Sequence, residues 1–145
     1  MAKNELKETG QPAVIFYDRG VLDGSAYVEE ELWAQIMDEQ DFDWNIRDKR
    51  YDAVVHMVTA AEGAEPFYDY ENEARFETIP EARERDRQLR EAYLGHCHHF
   101  VVDNQGKDFT QKIDATTDVV KSVLGLPSSP STFKKFLVDP RSIDI

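Results

Sequence analysis

The sequence predicts an α/β fold with a parallel sheet, and three observations carry that prediction. Three apolar runs of strand length stand at residues 13–17, 52–58 and 99–103. Each is followed by a segment with helical periodicity. The resulting order, strand then helix three times over, is the pattern of strands joined by helical crossovers on the faces of one sheet.

Taken in order, residues 3–9 are polar and have the character of the end of a helix. Ala13-Val14-Ile15-Phe16-Tyr17 is a continuous apolar run between Pro12 and Gly20, as expected of a strand buried on both faces. Val28, Leu32 and Ile36, flanked by Trp33 and Met37, recur at intervals of four and predict an amphipathic helix with Glu29, Glu30 and Glu31 on its solvated side. Asp-Ala-Val-Val-His-Met-Val at 52–58 predicts a second buried strand. The acidic, aromatic stretch 60–77 lacks a period and is expected to form loop or short helical turns. Thr78-Ile79-Pro80-Glu81 predicts a helix start, since threonine three residues before glutamate can form a capping box and proline fits the first turn. That helix should reach Leu94, before Gly95, with a narrow apolar stripe and four arginines, Arg83, Arg85, Arg87 and Arg90. His99-Phe100-Val101-Val102-Asp103 predicts a third strand, and Phe109, Ile113, Val120 and Leu124 mark a last amphipathic helix closed by Gly125. Residues 126–132, rich in proline and serine, read as a linker. Phe133-Lys134-Lys135-Phe136-Leu137-Val138 opens another strand pattern.

Composition narrows the function. With 29 acidic against 17 basic residues the net charge is −12, which repels phosphate backbones and argues against a broad nucleic-acid surface. No apolar run approaches the roughly 20 residues of a membrane span. The one cysteine, Cys97, has no partner for an internal disulfide, and the residues after Met1 open no signal-peptide stretch, so a cytoplasmic protein is expected. His96 to His99 include three histidines and Cys97, but successive residues entering a strand point to opposite faces and do not converge on one ion.

Ligands of parallel α/β sheets bind beyond the carboxyl ends of the strands, which singles out Asp18, Arg19 and Asp23 after the first run. An acid there can hold Mg²⁺ beside a phosphate, and an arginine can clamp an anionic oxygen; equally, the pair can do no more than cap the next helix. The arginine-rich helix has two readings as well. It can form a lid that lends guanidinium groups to a phosphoryl-transfer site, or a solvated helix whose arginines pair with Glu81, Glu84, Asp86 and Glu91.

Several separate stretches resemble one family. Ile15-Phe16-Tyr17-Asp18-Arg19-Gly20 with Asp23, Ser25, Ala26 and Tyr27 is similar to the strand-end motif of nucleoside and nucleotide kinases. Residues 50–61, then Ala74-Arg75-Phe76-Glu77, Gly95-His96 and His98 to Asn104, resemble the P-loop domain named for nicotinamide riboside kinase and the TRPL translocation defect protein. The likeness runs from about residue 4 to 125. It implies a partial three-layer α/β/α P-loop kinase-like fold that binds ATP or GTP with Mg²⁺. Asp18 then falls at the Mg²⁺-side acid, through water, and Arg19 and Asp23 at the substrate or phosphate. Arg83 or Arg87 falls on the lid, and Asn104 where such kinases pass the nucleotide base. A related branch carries a CYTH-like domain after the P-loop domain and is associated with GTP and phosphatidic acid; residues 133–138 are similar to its opening strand.

No Gly-x-x-x-x-Gly-Lys-Ser/Thr stands among the 145 residues. The expectation is therefore the C-terminal half of such a domain at 1–125, lacking the P-loop strand, then a linker at 126–132 and the start of a CYTH-like domain at 133–145. Two functions fit the resemblance: a purine-nucleotide-binding adaptor gated toward phospholipid, or a kinase of nucleosides or nicotinamide riboside-like small molecules. In either case, the strands at 13–17 and 52–58 are expected to flank an empty slot or to close up on each other.

Overall fold

A computed structural model of the chain describes residues 13–43, 45–68 and 77–127. In chain order these form a 3-10 turn at Val21–Ala26, helices α1 (Glu30–Glu39) and α2 (Asn45–Asp48), strand β1 (Val54–Met57), a short 3-10 turn at Glu65–Phe67, helix α3 (Ile79–Glu91), strand β2 (His99–Val102) and helix α4 (Phe109–Val123). β1 and β2 pair in parallel, Val54 opposite His99 and Met57 opposite Val102. Parallel neighbours require a crossover, and α3 is that crossover. The architecture is a partial α/β fold, as the alternation of apolar runs predicted. The predicted helix end at 3–9, the aromatic stretch 69–76 and the segment 133–145 lie outside the described residues.

Residues 13–17 correct one expectation. They are not a buried strand: they have no ladder partner among the described residues, and Val14, Phe16 and Tyr17 are 46%, 73% and 59% exposed. An apolar run becomes a buried strand only when neighbours satisfy its backbone and cover both faces. β1 hydrogen-bonds to β2 alone, so 13–17 and β1 do not close up into a pair. Tyr17 instead meets the ring of Tyr51 edge-on at 5.8 Å.

Helix α3 begins as its sequence predicts. The Thr78 side chain accepts from the Glu81 amide while the Glu81 carboxylate accepts from the Thr78 amide, which satisfies two donors at the helix start. The same reciprocal cap, Asp108 with Gln111, starts α4. The inward face of α4, however, is the line through Lys112, Thr116, Val119 and Val123; Phe109, Ile113 and Leu124 of the predicted stripe are exposed. Both lines have helical spacing, so periodicity alone does not choose between them. The core is small and divided. Leu22, Ile46 and Tyr93 form one cluster, with Trp33, Met37 and Val54 against it, and Ala61, Tyr68 and Ala82 form the other.

Candidate functional site

At the carboxyl end of the two-stranded sheet, side chains of α3, α4 and the loop after β2 converge on the chain as it leaves β1. Residues 58–64 turn there, with Gly63 at φ 81°, a left-handed conformation that suits glycine. Asp86 of α3, 5% exposed, holds the start of this turn. Its carboxylate accepts from the Thr59 amide at 2.7 Å and pairs with His56 Nε2 at 3.0 Å. Burial alone would raise the Asp86 pKa, but the hydrogen bonds from His56 and Thr59 outweigh it and hold the carboxyl below the usual range.

Asn104, just beyond β2, holds the rest of the turn. Its amide donates to the carbonyls of Thr59 at 2.8 Å and Glu62 at 2.7 Å, and its Oδ1 accepts from Lys112 Nζ at 2.7 Å. Lys112 also donates to the Val58 carbonyl. Because every partner of the Asn104 amide nitrogen is a carbonyl and the partner of its oxygen is an ammonium, the orientation of the amide follows from chemistry. Burial pushes the Lys112 pKa down, against the nearby charges of Asp86 and Asp103. Arg83 closes the outer side, donating from Nε to the Ala61 carbonyl at 2.6 Å and pairing with Glu65 at 2.6 Å.

A second group lies between α3 and the 3-10 turn Val21–Ala26. Arg19, at φ 73°, donates to the Tyr27 hydroxyl at 2.7 Å, with its guanidinium 5.3 Å from the ring centroid; Arg85 of α3 lies 4.6 Å from the same centroid. Two arginines from distant parts of the sequence thus each lie against one aromatic ring. Asp23 is 3.9 Å from Arg19, at the limit of an ion pair. Asp18 is exposed, with no hydrogen bond or ion pair among the described residues. Asp23 also acts on Tyr93, whose phenol is raised well above its ordinary pKa by burial and then by the Asp23 charge. The Tyr93 hydroxyl nonetheless makes no hydrogen bond of ordinary geometry among the described residues.

The structure brings together Arg19 and Asp23 among the residues singled out by sequence, and places Arg83 and Asn104 around the turn after β1. Arg87 lies apart on the outer side of α3, bonded to Glu84 at 2.5 Å and Glu91 at 2.6 Å. Arg85 and Lys112 were not singled out. Helical spacing puts Arg85 on a different side of α3 from Arg83 and Arg87, but only the position of Tyr27 shows which side matters. An exposed carboxylate such as Asp18 suits Mg²⁺, which takes few protein ligands and completes its shell with water and phosphate. Among the described residues no group of three His, Cys, Asp or Glu could enclose a metal. None of their helices is long and apolar enough to cross a membrane.

A family model described as an AAA domain matches residues 1–111. No curated protein and no solved structure matches the chain. The match spans the turn after β1, α3, β2, Asn104 and the Arg19 group and stops just before Lys112, so these matched residues lie in a P-loop NTPase-like, nucleotide-binding type of domain. The chain belongs to the AAA domain family.

Proposed function

We propose that this domain contributes the arginine side of a phosphate site for a purine nucleotide, GTP or ATP, with Mg²⁺ carried at Asp18. The observation that supports the reading best is the placement of both Arg19 and Arg85 against the Tyr27 ring. Both guanidinium groups stand over the Tyr27 ring, and among the described residues their carboxylate partners are Asp23 at 3.9 Å and Glu77 at 3.4 Å, contacts long enough for an anion to compete with. Arg83 fixes the turn after β1 behind this site, and Arg87 can join it only by releasing Glu84 and Glu91. Asn104 acts on the nucleotide base through the loop it shapes, since its own amide is spent on the turn.

The glycine-rich loop that cradles a triphosphate is not among these residues, so the chain alone should bind Mg·GTP or Mg·ATP no tighter than about millimolar, roughly −4 kcal/mol. Titration followed by nuclear magnetic resonance tests this. Shifts should saturate in the millimolar range at Arg19, Tyr27 and Arg85, and fall away in Arg19→Ala and Arg85→Ala. Shifts confined to other residues, or micromolar affinity unaffected by both substitutions, would reject it. Whether the site serves a kinase or a nucleotide-gated adaptor with a phospholipid-binding neighbour is decided by turnover of nucleosides or nicotinamide riboside by the protein carrying the glycine-rich loop.

A further inference from the structure

An apolar cleft of about 490 Å³ opens between the 3-10 turn Val21–Ala26, α1, α2 and the chain leaving α3. Its interior is formed by Leu22, Trp33, Met37, Phe42, Ile46 and Ala92, with Leu94 at its edge, 60% exposed. It borders the same 3-10 turn as the arginine group, but Arg19, Asp23, Tyr27 and Arg85 do not line it. The polar groups at its rim already have partners within the protein. Ser25 donates to the Leu22 carbonyl, Asp43 accepts from Asn45, Arg47 donates to the Leu94 carbonyl and Glu91 accepts from Arg87. A ligand rich in hydrogen-bonding groups would find little to bind, whereas an apolar side chain would replace water on Trp33, Met37 and Leu94.

The sequence around the cleft adds a second property. From Gly20 to Ile46 there are eight carboxylates and no lysine, arginine or histidine, and Arg47, the cation on the cleft's lining, is paired with Asp48 at 2.6 Å. Helix α1 has no buried residue, carries Glu30 and Glu31 in its first turn and has no basic residue in its last. An occupant therefore meets an apolar floor inside an acidic frame. We infer that the cleft is a docking site for a basic amphipathic helix of a partner protein, one apolar side chain of which enters between Trp33 and Leu94 while its lysines or arginines face the carboxylates of α1. Helix-in-groove binding of this kind combines an apolar anchor, which provides affinity, with complementary charge, which speeds encounter.

The test uses the full 145-residue chain and a fluorescein-labelled peptide of four Leu-Lys-Lys-Leu repeats, read by anisotropy. Two control peptides replace every leucine by serine or every lysine by glutamate. The leucine–lysine peptide should bind in the micromolar range and both controls at least ten times more weakly. Leu94→Asp separates docking from plain charge attraction, because it adds a negative charge at an exposed position. Docking predicts that it weakens binding at least ten-fold, whereas attraction to an acidic surface predicts equal or tighter binding. Met37→Gln, whose folding is checked by circular dichroism, should weaken binding in the same direction. The proposal is overturned if the serine peptide binds as well as the leucine peptide, or if Leu94→Asp binds undiminished. It is also overturned if sedimentation shows a dimer of this chain that Leu94→Asp dissociates, since the cleft would then receive a second copy.

Discussion

The Oδ1 of Asn104 accepts a hydrogen bond from Lys112 at 2.7 Å, and through that bond the loop after β2 and helix α4 together hold the turn after β1. The loop after β2 and the start of α4, eight residues apart, meet a turn more than forty residues earlier in one polar cluster whose donors are matched by acceptors. Removing either partner leaves a buried group unsatisfied. Asn104→Ala and Lys112→Met should each destabilise the chain by about 1–3 kcal/mol in urea unfolding. The double variant should lose clearly less than the sum, because the two act as a unit. Additive losses would mean that the two side chains support the turn independently.

Asp86 should set the acid limb of stability. Its pKa in the folded chain lies below the ordinary aspartate value of 3.8, so its contribution is complete above that value and is lost as pH falls through the lowered folded value. Asp86→Ala should cost on the order of 2–3 kcal/mol at neutral pH, through its charge-assisted bonds to Thr59 and His56. Asp86→Asn should flatten the loss of stability below about pH 4. A variant with an unchanged acid limb would assign that limb to other carboxylates.

His99 should act at milder pH and through the opposite protonation state. Burial, then the charges of His56, His96 and Arg90, lower its pKa from 6.5, and its Nε2 is buried with no hydrogen-bond partner among the described residues. The fold therefore favours neutral imidazole. Below pH 6.5 the unfolded chain takes up a proton that the folded chain refuses, so stability should fall as pH drops from 6.5 toward the lowered folded pKa. His99→Phe should remove that slope between roughly pH 5 and 7. Urea midpoints measured across this range check the prediction, and an undiminished slope in the variant would refute it.

Gly20 and Tyr93 should show a compensating pair of effects. A Cβ built at Gly20 would stand 1.9 Å from the Tyr93 hydroxyl, so Gly20→Ala should destabilise by about 1–3 kcal/mol through overpacking. Tyr93→Phe removes the closest contact, leaving the ring carbon Cζ at 3.0 Å, together with a buried hydroxyl without a normal hydrogen bond among the described residues, and should be neutral or stabilising by itself. In the Tyr93→Phe background, Gly20→Ala should cost clearly less than in the parent chain. Thermal melts of the four proteins decide, and an equal penalty in both backgrounds would place the conflict elsewhere.

Sequence by itself determined the local features of this protein. The start of α3 at Thr78, the strands around Val54 and His99 and their separation by a crossover helix were legible because they depend on residues within a few positions of one another. Capping, apolar runs and helical spacing are local properties of the chain. Tertiary structure decided what depends on a partner. Residues 13–17 read as a strand, yet a run becomes a buried strand only if another strand satisfies its backbone, and β1 pairs only with β2. Which line of α4 faces inward was decided by the carbonyl of Val58 and the amide of Asn104, which draw in Lys112 and turn Phe109 and Ile113 outward. Likewise Arg85, one of four similar arginines, is set apart by the Tyr27 ring supplied from 58 positions earlier in the chain. Local spacing lists the side chains available on each face; the groups that meet them across the fold determine which are used.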